Sequence, residues 1–219
     1  MASKTLPDSL FAARCLRGAE PSEKHVIPTQ GGLPGFDAEV ATDRLFLGIF
    51  PDQQAAADIV AMAGDYRARH GLAGKPQSAD RLHATLFHLG DWVGVPADIV
   101  AKASAAMARI VSPAFEVAFD RVGSFDNHRS ANPVVLTASQ NNQALLALHE
   151  ELVTQLRRAA LGQWTKSSFL PHVTLAYDKR IMPIESVTPV SWRVGEVVLI
   201  HSLLGQTRHI RLAQHVLGH

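Results

Sequence analysis

Two tetrapeptides in the 219-residue chain repeat the same reactive side chains at the same spacing: His83-Ala84-Thr85-Leu86 and His172-Val173-Thr174-Leu175. An imidazole exchanges its proton near neutral pH and a hydroxyl can hold an anionic oxygen, so each pair suits acid/base work. On a strand, residues i and i+2 project from one face roughly 6 to 7 Å apart, so each motif presents its ring and hydroxyl together. A lone strand histidine is more often structural. With 11 histidines in the chain, random placement yields on the order of 0.05 such tetrapeptides, so the recurrence reads as a signature. Zinc is a weaker reading, because the chain has no His-x-His or Cys-x-x-Cys pair and threonine is a poor ligand. A Walker loop and a seryl-hydrolase elbow are also absent.

The elements that must position these motifs follow from periodicity. The apolar run Leu45-Phe46-Leu47-Gly48-Ile49-Phe50 stops at Pro51-Asp52, which predicts a buried strand and then a helix N-cap. A helix over 53–70 ends at Gly71, and a strand over 81–89 carries the first motif. Pro96 opens a second helix, with Ile99, Val100, Ala103, Met107 and Ile110 at helical spacing. After a half-buried strand at 115–119 the order recurs: a strand at 133–138, a helix over 142–161 ended by Gly162, and a strand over 172–177 carrying the second motif. One further strand is expected over 192–200, with 202–212 adding another. These are two β-α-β-containing halves, a weak internal duplication with lobes at about 43–123 and 132–219. If the halves pack about a pseudo-twofold axis, all four polar side chains converge. Residues 1–42, with Gly31-Gly32 and Pro34-Gly35, read as a flexible N-terminal extension with a short helix around 10–16.

Composition sets the remaining bounds. With 47% hydrophobic and 19% charged residues, the chain supports one globular domain. A net charge of +1 argues against a broad grip on long duplexes and favours a short RNA end or small nucleotide. Cys15 stands alone, so no internal disulfide is available. No apolar run is long enough to span a membrane, and Arg14, Arg17, Asp8 and Glu20 interrupt what a signal peptide would need. The expectation is a cytoplasmic monomer without membrane partners.

Arg44-Leu45-Phe46, Leu82-His83-Ala84-Thr85-Leu86, Phe169-Leu170-Pro171-His172-Val173-Thr174-Leu175 and Gly205-Gln206-Thr207-Arg208 together resemble the two-histidine phosphoesterase superfamily, over about residues 44–215. The resemblance is to its bacterial branch of RNA 2′,3′-cyclic phosphodiesterases, also named 2′-5′ RNA ligases. It implies a bilobal α+β fold: two pseudo-twofold-related antiparallel sheets with flanking helices and a central groove. It implies no metal and no organic cofactor, with RNA termini or small cyclic nucleotides as substrate. It casts His172 as base and His83 as acid, with Thr85 and Thr174 as hydroxyl donors; the sequence itself does not tell the two histidines apart. Leu170 departs from the family, where a polar or basic residue often precedes Pro-His, so phosphate neutralisation passes to Lys166, Arg208 or Arg180. Phe46 is a candidate for stacking on a base, against core packing as the commoner role of phenylalanine. His201, His209, Tyr177 and Arg129 are placed near the groove, and His88, by strand alternation, on the face away from His83. The alternatives are a non-catalytic module that holds an RNA end or nucleotide phosphate, or a phosphodiesterase for 2′,5′-oligoadenylate or another cyclic phosphate.

Overall fold

The computed structural model describes residues 39–126, 130–140, 142–165 and 168–218. The expected extension at 1–42, its short helix and Cys15 fall almost wholly outside them. Eight strands form one antiparallel sheet: β1 (Asp43–Ile49), β2 (Ala84–Trp92), β3 (Phe115–Ser124), β4 (Asn132–Thr137), β5 (His172–Asp178), β6 (Glu185–Val194), β7 (Glu196–Leu203) and β8 (Arg208–Val216), in the order β6-β3-β4-β5-β2-β1-β7-β8. Three helices, α1 (Gln53–His70), α2 (Ala97–Met107) and α3 (Gln143–Arg158), cover its core face. No helix of the described residues is long and apolar enough to cross a membrane.

Local chemistry explains the element ends. Asp52 caps α1 by accepting from the Ala55 amide at 2.8 Å, and Gly71 closes the helix with φ 58°, a left-handed conformation that glycine adopts without a Cβ penalty. The Arg180 guanidinium then donates to the carbonyls of His70 and Gly71 at 3.1 and 2.7 Å, neutralising the negative end of the helix dipole. A short 3-10 turn, Ala79–Arg81, precedes the first motif, so β2 starts later than expected. Helix α3 also stops early, at Arg158, because Ala160 takes φ 60° before Gly162 is reached.

The sheet consists of two four-stranded halves, β2-β1-β7-β8 and β5-β4-β3-β6, that meet through a single register pair, Ala84 and Val173. The halves do not follow the expected lobes at 43–123 and 132–219. Strand β3 crosses into the second half, and β7 and β8 return to the first. The first β-α-β unit thus gains β7 and β8 from the far end of the second segment, and the second gains β3 from the far end of the first, long-range pairings that local periodicity does not record. The apolar run expected as one strand over 192–200 is likewise two, divided at Gly195 between opposite halves. The sheet curls so far that its ends meet there: Pro113 before β3 bridges Gly218 after β8, and the Leu217 amide donates to the Gly195 carbonyl at 2.8 Å.

The main core lies between the sheet and the helices, with Leu45, Leu47, Ile49, Leu86, Phe87, Leu145, Leu148, Leu152, Val173 and Leu175 all buried. Two small apolar clusters occupy the other face, Phe46 with Val198, Ile200 and Phe50, and Phe125 with Val135, Leu170 and Ile184. Within the core, the His149 ring is stacked between Phe87 at 4.4 Å and Phe169 at 4.1 Å. Burial in this sandwich pushes its pKa down to about 4 from an ordinary 6.5. Between those values the unfolded chain binds the extra proton, so the neutral ring's contribution is complete above about pH 6.5 and is lost as pH falls towards 4. His149→Phe is therefore expected to flatten part of the loss of stability between pH 7 and 5 in urea unfolding; an unchanged pH dependence contradicts a neutral buried ring.

Candidate active site

The pair Ala84–Val173 joins the strands at the second residue of each motif. In an antiparallel ladder, the neighbours on either side face each other, so His83 lies across from Thr174 and Thr85 across from His172. Alternation sends Ala84 and Val173 into the core, where both are fully buried, and leaves the two histidines and two threonines together on the opposite face, partly exposed. Directly opposed positions on adjacent strands are about 4.5 to 5.5 Å apart at Cβ. The histidines occupy one diagonal of this square and the threonines the other.

Each histidine is held in the same way. His83 Nδ1 lies 2.7 Å from the Arg81 carbonyl, and His172 Nδ1 lies 2.8 Å from the Leu170 carbonyl. A carbonyl only accepts, so Nδ1 carries the proton in both rings and Nε2 keeps its lone pair for the open side. Among the described residues neither Thr85 nor Thr174 has a hydrogen-bond partner for its hydroxyl. Aromatic rings brace both imidazoles: Phe46 stacks on His83 at 4.6 Å and 25°, and Phe125 meets His172 edge-on at 5.0 Å. A Cβ on Gly48 would come within 3.3 Å of the Phe46 ring, so glycine there lets the ring lie over β1 and reach His83.

The last residue of each motif has a separate task. Gly48 pairs with Thr85 and Leu47 with Phe87, which leaves Leu86 as an extra residue; Val135 pairs with Thr174 and Val134 with Ala176, which leaves Leu175 extra. Both strands therefore carry a bulge at the same point, with Leu86-Phe87 and Leu175-Ala176 buried consecutively in the core. This corrects the placement of His88. Beyond the bulge it pairs with Phe46 and shares the face of Thr85, where it bonds Asp91 at 2.8 Å beside the bidentate Arg44–Asp91 pair. Tyr177 is its counterpart beyond the second bulge, 51% exposed on the face of Thr174.

Other expected contacts fall elsewhere. Phe46 is only 3% exposed, and its ring is packed against His83 and His209, so it supports the site and offers no open face to a base. Arg208 is exposed at the start of β8, and alternation turns it to the face away from His209, whose ring does reach the site. Arg180 is engaged at the end of α1. His201 is buried against Asp43 at 2.5 Å, distant in role from the motif face. Lys166 and Arg129 lie outside the described residues. Sequence reading missed Phe125 and Arg81. Phe125 sits in a turn-rich loop, and the only hint of Arg81 was its position two residues before a motif histidine.

The electrostatics favour neutral rings. Burial, together with the nearby His209, His172 and Arg81, pushes the His83 pKa down to about 4 in spite of the opposing carbonyl bond. Burial also lowers His172. At neutral pH both Nε2 atoms are thus proton acceptors. Nitrogen-detected NMR is expected to show Nδ1-protonated tautomers for both residues and a His83 titration well below 6; an Nε2–H tautomer in either ring contradicts the tethering by carbonyls.

Comparison with known proteins agrees with this geometry. Residues 50–206 match the family model described as the 2′-5′ RNA ligase superfamily. The RNA 2′,3′-cyclic phosphodiesterase of Escherichia coli K12 is 33% identical over 137 residues, which cover 62% of this chain and 72% of that protein. The solved structure of E. coli LigT complexed with 3′-AMP superposes with a TM-score of 0.64 at 29% identity, covering 81% of this chain and 99% of that one. LigT complexed with phosphate gives 0.62 at 28% identity, with 82% and 100% covered. With a single α+β domain, a tandem motif on one sheet face and a match over most of its length, the chain belongs to the 2′-5′ RNA ligase superfamily, that is, to the two-histidine phosphoesterases.

Proposed function

We propose that the chain is a metal-independent RNA 2′,3′-cyclic phosphodiesterase that opens the cyclic phosphate to a 2′-phosphomonoester. The observation that carries this reading is the pair of Nδ1-tethered imidazoles set diagonally on one face, each beside an unengaged hydroxyl. The similar E. coli protein, an RNA 2′,3′-cyclic phosphodiesterase, supports the same chemistry.

Displacement at phosphorus places the attacking and departing oxygens on opposite sides, which requires two proton-handling groups flanking the phosphoryl group. His172 Nε2 accepts a proton from water as its oxygen bonds to phosphorus. The bond from phosphorus to the ribose 3′ oxygen breaks, and a protonated His83 Nε2 supplies that oxygen's proton. The Thr85 and Thr174 hydroxyls donate to the non-bridging oxygens. A ribose 5′-hydroxyl in place of water yields a 2′,5′ linkage by the same steps. The division of roles follows the family, since the two tethers are alike.

The depressed histidine pKa values shape the pH dependence. Burial disfavours the imidazolium that the acid must carry, but a bound phosphodiester anion favours it. Anion binding therefore raises the pKa of the acid. Both profiles are expected to be bell-shaped, with the alkaline limb of kcat at higher pH than that of kcat/KM; coincident limbs, or limbs in the reverse order, contradict this assignment.

Product analysis on 2′,3′-cyclic nucleotides, short RNAs with cyclic ends and 2′,5′-oligoadenylate tests the reaction itself. A 2′-monoester formed in the presence of a chelator is expected. His83→Ala or His172→Ala should lower kcat by about 10² to 10⁴ with folding retained, and Thr85→Ala or Thr174→Ala by on the order of 10². Full activity in either histidine variant, inhibition by the chelator, or phosphate affinity without any product overturns the proposal.

A further inference from the structure

Two cationic or protonatable groups beside His83 are not used by the mechanism above. His209 on β8 meets the His83 ring edge-on at 5.2 Å and Phe46 at 5.4 Å. Its Nδ1 is buried and has no hydrogen-bond partner among the described residues. Arg81, in the turn before β2, lends its carbonyl to His83, while its own side-chain Nε is also buried without a partner. A buried, unmade donor on the charged guanidinium costs more than a neutral one, and the unpartnered nitrogen of the neutral His209 ring adds to it, so the two together beside His83 point to a ligand that completes them.

The ligand should be anionic. Arg81 opposes protonation of both His83 and His209, which puts the guanidinium within electrostatic reach of both rings; the exposed carboxylate of Asp80 acts on His209 in the other direction. Of the other cations on the strands of this half, Arg44 is paired with Asp91 and Arg211 with Glu196 while lying over Phe50, and Arg208 is turned to the face away from His209. Apart from the His83 imidazolium, whose proton leaves in the reaction, the proposed mechanism supplies no positive charge. Two threonine hydroxyls contribute dipoles, yet the phosphoryl oxygens gain negative charge as water adds, and fixed cationic donors stabilise such charge most strongly.

We propose that Arg81 and His209 form an oxyanion pocket on the β8 side of His83 that holds a non-bridging oxygen of the reacting phosphoryl group. This assignment rests on the phosphodiesterase reading and adds its charged component. Both are binding groups for the phosphoryl oxygen, and neither passes the proton that His83 and His172 exchange.

The test uses the full chain and inorganic phosphate, which binds without turnover. Calorimetry on Arg81→Met and His209→Phe, the latter keeping a ring against Phe46, is expected to show phosphate Kd weakened roughly 10- to 100-fold, as for a lost hydrogen bond to a charged group. Arg81→Lys should recover part of the affinity. In the free variants the His83 titration should move upward, because each substitution removes a neighbour that opposes its protonation, with unchanged urea unfolding showing that the fold has not loosened. Wild-type phosphate affinity in Arg81→Met and His209→Phe overturns the pocket. If Arg81→Met fails to fold, the comparison of His209→Phe with Arg81→Lys decides in the same way. Phosphate bound through both residues with no monoester formed from any cyclic substrate keeps the pocket and overturns the phosphodiesterase reading. Normal turnover with indifference to both substitutions overturns the pocket alone.

Discussion

The contact between Ala84 and Val173 is the narrowest point of the sheet and the constraint that the site depends on. Both residues are fully buried, so the core fixes the register of β2 against β5 from below. A slip of one residue would move a histidine into the core and a valine or alanine onto the open face, a cost that few kcal/mol of local strain could offset. Burial of small apolar side chains at the centre of each motif therefore determines which four polar side chains face one another. The candidate site is not built on loops, which are the commoner carriers of function; its four polar side chains stand on or beside strands whose partners hold them in place.

The two halves solve the same problems twice. Each histidine is tethered through Nδ1 to the carbonyl two residues earlier, each ring is braced by a phenylalanine, and each motif ends in a leucine that forms a bulge. A tether of this kind sets the tautomer and points Nε2 outward without adding a charge. The bulge gives the core two consecutive apolar anchors and returns the next residue to the open face, which brings His88 and Tyr177 onto the side where simple alternation would not put them. The asymmetry lies in the surroundings: His83 has Arg81 and His209 beside it, whereas His172 has the apolar cluster of Phe125, Val135, Leu170 and Ile184. Identical tethers with unlike neighbours let one imidazole differ from the other in protonation.

Much of this was legible in the sequence because it is local. The motifs, α1 with its Asp52 and Gly71 ends, and the repeated β-α-β order follow from short-range patterns. The pairing partners of β3, β7 and β8 were not, since strand exchange between halves depends on contacts between residues far apart in the chain. Leu86 and Leu175 read as ordinary buried strand residues either way, so the bulges left no trace and the parity assigned to His88 failed. Phe46 was ambiguous for a physical reason: a large ring next to an active face can serve a base or a catalytic side chain, and here the absence of a side chain on Gly48 lets it serve His83. Arg208 drew notice as an exposed cation, but its neighbour His209 holds the position that reaches the site.

A crystal structure with a nucleoside vanadate, which mimics the five-coordinate phosphoryl group, tests the central geometry most directly. Vanadium is expected over the open face where β2 meets β5, with one oxygen within about 2.6 to 3.2 Å of His83 Nε2 and an oxygen on the opposite side equally close to His172 Nε2. Vanadate bound against only one of the two imidazoles, or in a different part of the molecule, would contradict it.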